Sequence, residues 1–156
     1  MDISPEHEAD RVEASRLPAL YASLARLQQS DPEGPPATLA IYGGARPQPG
    51  EAPETPPIVT LNLVPTAGTI NDELIELYLA TPISAQITGA DETVGTVPTW
   101  ARITDPAGVW WADCSVTVEG GGGELEMPQT GEENGIPVAR LYNGATAYIT
   151  SATFRG

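Results

Sequence analysis

The chain has 156 residues, with 21 acidic side chains against seven arginines, no lysine, and a formal charge of −14. That balance excludes a surface that tracks nucleic-acid phosphates, because counterion release needs clustered cations. The length suits one domain that can bury its own core, and the longest apolar runs, Ile58 to Val64 and Leu74 to Ala80, fall well short of the roughly 20 residues of a membrane-spanning helix.

The first segment carries the only helical pattern. Leu17, Leu20, Tyr21, Leu24 and Leu27 recur at spacings of three and four and form one apolar stripe. Ser15 reads as the N-cap and Pro18 falls in the first turn, which predicts a helix from about Arg16 to Gln29 preceded by a looser arm over residues 1–14. A lone helix of this length is marginal in water, so the stripe must dock on the chain's own β-domain or on a neighbouring subunit. Asp31-Pro32-Glu33-Gly34-Pro35-Pro36 ends it, which divides the chain into an arm and helix over 1–30, a linker over 31–36 and a β-domain over 37–156.

From there the chain reads as short strands separated by glycine and proline. Candidate strands are 37–43, 58–64, 73–80, 83–88, 97–104, 109–118, 124–127 and 146–154, and the segment 73–80 has the composition of either a strand or a short helix. Asp105-Pro106-Ala107-Gly108 between two alternating runs predicts a hairpin. Pro47 to Pro57, Glu119 to Glu124 and Gln129 to Gly135 read as acidic surface loops. The fold class expected is mainly β: an antiparallel β-sandwich or jelly-roll-like domain with an N-terminal α-helical arm.

The side chains that carry chemistry are few. His7 is the single histidine and Cys114 the single cysteine; strand alternation puts Cys114 on the face of Trp110, Ala112, Val116 and Val118, a core face remote from any base. One cysteine makes no internal disulfide, and no charged leader followed by an apolar stretch opens the chain, so the expectation is folding in a reducing cytoplasm. Asp91-Glu92 and the acids from Glu119 to Glu126 lack the spacing of a calcium loop, and Gly120 to Gly123 lacks the lysine of a phosphate loop. No catalytic residue, cofactor or metal is therefore expected. Alternation sets Trp111 with Asp113, Ser115 and Thr117 on the more polar face, where it would stack on a neighbouring subunit or a sugar ring unless a loop or the helix covers it.

From Leu39 onward, Leu39-Ala40-Ile41-Tyr42-Gly43-Gly44-Ala45-Arg46-Pro47, Ile58-Val59-Thr60-Leu61-Asn62-Leu63, Gly95-Thr96 leading into Thr99-Trp100-Ala101-Arg102-Ile103, and Gly144 before a closing strand follow one another in order. This succession resembles small β-sandwich virion proteins of tailed bacteriophages, from which the N-terminal helix and the acidic, proline-rich 47–57 segment set the chain apart. The resemblance implies a non-enzymatic subunit, made in the host cytoplasm and located on the virion, that decorates or cements the outside of the capsid. Its implied partners are the major capsid protein and copies of itself, as a trimer or other small oligomer, with neither nucleic acid nor membrane. The expected partner contacts are Leu17, Leu20, Tyr21, Leu24, Leu27 and Trp111. The alternatives are a tail or baseplate component, or a carbohydrate-binding or host-adhesion module that uses Trp111 or loop aromatics.

Overall fold

The computed structural model describes residues 3–156. Its first element, α1 (Pro5–Leu27), begins ten residues or so earlier than the Ser15 cap predicts. Ser4 is the N-cap instead, its hydroxyl accepting from the His7 amide at 3.3 Å, with Pro5 in the first turn. Residues 5–15 are helical although every one of them is exposed, with the Glu8–Arg11 and Glu13–Arg16 ion pairs spaced along them. Ser15 lies inside the helix with its hydroxyl turned back onto the Val12 carbonyl at 2.8 Å. Pro18 also lies inside, where its ring removes one backbone bond without ending the helix.

The C-terminal half of α1 is fastened to the domain. Leu20, Leu24 and Leu27 are buried, packing with the strands that follow, so the apolar stripe docks on its own β-domain. The Arg16 guanidinium donates to the Gly156 carbonyl at 2.9 Å, tying the two ends of the chain together. After the helix, the Gln29 amide donates to the Pro65 carbonyl at 2.9 Å and its side chain to the Gly34 carbonyl at 2.6 Å, which fixes the turn into the sheet.

Twelve strands follow: β1 (Thr38–Tyr42), β2 (Val59–Asn62), β3 (Gly68–Asn71), β4 (Glu76–Leu79), β5 (Ile83–Gln86), β6 (Trp100–Thr104), β7 (Trp110–Val118), β8 (Leu125–Met127), β9 (Gly131–Glu133), β10 (Ile136–Val138), β11 (Thr146–Ile149) and β12 (Ser151–Arg155). Eight of them form one sheet in the order β2-β1-β6-β7-β8-β12-β4-β3. The β5–β11 pair touches β2 at one edge of this sheet and β8 in its middle, and its Ile83, Ala147 and Ile149 join the core, so it closes the inner face. The fold is thus mainly β and sandwich-like, with an N-terminal helical arm. Among the described residues the fully buried side chains are all apolar.

Several segments depart from the sequence reading. The 73–80 run divides into a turn and β4: Asn71 Oδ1 accepts from the amides of Glu73 and Leu74, Ile75 adopts φ 53°, and the chain returns antiparallel to β3, a strand the sequence reading omits. Gly68 is needed there because a Cβ would stand 2.1 Å from the Tyr78 carbonyl oxygen. Within Gln129 to Gly135, Asn134 and Gly135 at φ 52° and 78° turn β9 into β10, a hairpin rather than an open loop. The 146–154 run breaks at Thr150 and serves two sheets, β11 pairing with β5 and β12 inserting between β8 and β4.

The glycine run after β7 does not form a hairpin tip. The chain loops back so that β8 lies parallel to β7, with Val116 beside Leu125, while the other neighbours in the large sheet are antiparallel. So short a return between parallel strands needs backbone freedom. Gly120 and Gly122 take φ 77°, and a Cβ on Gly121 would stand 2.7 Å from that of Thr117.

Leu27 is fully enclosed. Leu27→Ala is expected to lower unfolding free energy by about 2–5 kcal/mol in urea titrations, whereas Val12→Ala, on the exposed part of the helix, is expected to change it by about 0.5 kcal/mol or less.

Candidate functional site

The predicted hairpin forms, with Gly108 at φ 79° and Asp105 Oδ1 accepting from the amides of Ala107 and Val109, both at 2.9 Å. The register of its strands is less regular. Ala112 pairs with Ile103 but Trp110 pairs with Thr104, leaving Trp111 as an extra residue in a β-bulge. The alternation that sets Cys114 and Val116 inward therefore breaks before it reaches the indoles. Trp110 shares the outer face with Arg102 and Asp113, and Trp111 turns inward.

This exchange decides the fate of both rings. Trp111 is half-buried: its ring meets Phe154 edge-on with centroids 5.5 Å apart, and its Nε1 donates to the Ser23 carbonyl of α1 at 3.1 Å. The helix covers it. Trp110 is 42 % exposed, and its Nε1 donates to Asp113 Oδ1 at 3.2 Å. Of the other residues predicted to meet a partner, Leu20, Leu24 and Leu27 are buried within the chain, Leu17 is half-buried, and Tyr21 is exposed with its hydroxyl donating to Asp72 at 2.8 Å.

Around Trp110 the outer face of β1, β6 and β7 carries an ordered cluster. Tyr42 and Trp100, opposite one another on β1 and β6, stack with centroids 4.3 Å apart and planes 11° from parallel. The Arg102 guanidinium lies 5.8 Å from the Trp100 ring centroid and 5.9 Å from that of Trp110, a cation between two indoles. Cross-strand Asp113 holds it through two bonds of 2.7 Å, Nε to Oδ1 and Nη2 to Oδ2. Both charged side chains are largely shielded, at 13 % and 7 % exposure, and the Asp113 contact holds the Arg102 pKa above its usual range. The loop after β1 rises beside them, and Arg46, Pro47, Gln48 and Pro49 with Trp110, Trp111, Ala112 and Asp113 line a groove of about 590 Å³.

A second concavity of about 600 Å³ lies farther along the same face, among Glu76, Tyr78, Glu124, Glu126 and Arg155. Each carboxylate there is engaged. Glu76 meets Tyr78 and Arg155, Glu126 accepts from the Gly122 amide at 3.2 Å, and Glu124 accepts from the amide and hydroxyl of Ser115. Burial opposes ionisation of Glu124, but the Ser115 contacts outweigh it and hold the carboxyl below its ordinary range. A general acid needs the opposite shift. Burial pushes the Cys114 thiol far up, so it stays protonated, as expected for a core position. Among the described residues no three His, Cys, Asp or Glu side chains are placed to share a metal ion, and no helix is long and apolar enough to cross a membrane.

Sequence reasoning singled out Trp111 and missed the cluster of Tyr42, Trp100, Arg102, Trp110 and Asp113. An unbroken register from the Asp105–Gly108 turn sets Arg102 opposite Trp111 or Ala112; the bulge that brings Asp113 beside it leaves no mark in composition. No family model, curated protein or solved structure matches the chain.

Arg102→Ala would leave the shielded Asp113 carboxylate without its counter-charge. A loss of about 3–5 kcal/mol in unfolding free energy is expected from urea titration, and Arg102→Lys, which keeps the charge but not the two-pronged geometry, is expected to lose less.

Proposed function

We propose that the chain is a non-enzymatic structural subunit of a tailed-bacteriophage virion, a decoration or cement protein that binds the outside of the capsid shell against the major capsid protein and copies of itself. The observation that supports this most is the unpacked half of α1. Residues 5–15 stand clear of the domain, exposed on every side, and span roughly 16 Å at 1.5 Å per residue. A helix that is polar all round fits a bridge between bodies better than a piece of one core.

Buried Leu20, Leu24 and Leu27 give that arm a rigid root, and its Glu6, Glu8, Asp10 and Glu13 with Arg11 and Arg16 offer both signs of charge to a neighbour. The excess of acid keeps free subunits apart before assembly. Because such a subunit binds assembled shell and not dispersed capsid protein, it stabilises the shell by mass action.

The test is thermal. Particles stripped of the protein are expected to melt at lower temperature, and re-adding the full chain should restore the original melting point, while a version lacking residues 1–14 should fold yet restore little. Unchanged melting of stripped particles overturns the cementing role. A copy number far below that of the major capsid protein would move the subunit to the tail or baseplate.

A further inference from the structure

The outer face of the sheet carries a device that the helical arm does not use. Tyr42, Trp100, Arg102 and Trp110 form a continuous row of flat groups, and its last plate, Trp110, is 42 % exposed. That indole is fixed in place, with Nε1 on Asp113 and one flank against a guanidinium that is itself held by two bonds. A plate fixed before binding loses little side-chain entropy when something settles on it.

Polar groups with spare capacity surround the plate. The Gln48 side-chain amide makes no hydrogen bond among the described residues, and Arg46 makes only a 3.4 Å bond to the Asp113 carbonyl, with no carboxylate in ion-pair range. Asp113 Oδ2 receives one donor. The groove of about 590 Å³ falls within the range of small-molecule sites, about 300–1,000 Å³.

A flat apolar plate ringed by an amide, a guanidinium and a carboxylate suits a ligand with one C–H face and hydroxyls around its rim. A polyanion is disfavoured by a net charge of −14. We propose that this groove binds a neutral glycan, one pyranose ring lying on Trp110 while its hydroxyls reach Gln48, Arg46 and Asp113. The site lies apart from the arm of α1, so it stands whether or not the chain decorates a capsid.

The experiment is a titration of the ¹⁵N-labelled full chain, following its indole N–H signals in the presence of glucose, galactose, mannose, N-acetylglucosamine and short oligomers of each, up to on the order of 10 mM. At least one sugar is expected to move the Trp110 signal saturably. Trp110→Ala should weaken that binding about tenfold or more, and Trp110→Phe, which keeps a plate, should weaken it less. Gln48→Ala, on a loop where folding is not at stake, should weaken it with the melting temperature unchanged. The proposal is overturned if no sugar moves the Trp110 signal, or if Trp110→Ala and Gln48→Ala both bind as the parent does. Saturation of Trp110 by a peptide copying residues 46–57, with the sugars inert, would overturn it too and assign the groove to a polypeptide.

Discussion

One extra residue, Trp111, sits in β7 opposite the step from Ile103 to Thr104 in β6, and because side chains alternate along a strand, that insertion exchanges the faces on which the two neighbouring indoles fall. The inward ring reaches Phe154 and a carbonyl of α1, so it helps seat the helix on the β-domain. The outward ring closes over the Arg102–Asp113 pair. Without the bulge, Trp110 would enter the core and Trp111 would stand outside, leaving the helix without its anchor and the guanidinium without its second indole. The root of the arm and the plate of the groove both follow from this local slip in register.

The two faces of the sheet obey different physics. Inside, aliphatic side chains from α1, both β-layers and Cys114 form a single cluster, and their cohesion is non-directional. Outside, a buried ion pair is stabilising only when geometry and hydrogen bonds compensate for lost solvation. Asp113 meets that condition by accepting from both Arg102 and Trp110, and the indoles on either side shield the guanidinium from water. The result is a stiff, partly apolar patch on a chain of formal charge −14.

What the sequence reveals here depends on the range of the interaction. The apolar period from Leu17 to Leu27 and the Asp105–Gly108 turn are local signals, and both correspond to elements found in the structure. The start of α1 is ambiguous in the sequence because Ser15 and Pro18 resemble a first turn, although Ser4 and Pro5 make the same signal earlier. Asn134-Gly135 is an equally local signal, obscured by the acidic glycine-rich segment around it. The split at Thr150 and the parallel return of β8 depend on which strands accept the chain at a distance, and a short apolar run carries no record of its neighbours. The aromatic cluster belongs to this second kind: each member is visible in the sequence, but the juxtaposition depends on pairings between β1, β6 and β7 and on the bulge.

The most direct measurement of this account is the environment of the indole N–H groups in solution. Nuclear Overhauser contacts from Trp111 to α1 and Phe154, together with contacts from Trp110 to Arg102 and indole exchange faster for Trp110 than for Trp111, are the predicted result. Slow exchange and core contacts for Trp110, with Trp111 open to solvent, would mean that no bulge interrupts β7 and would contradict the account.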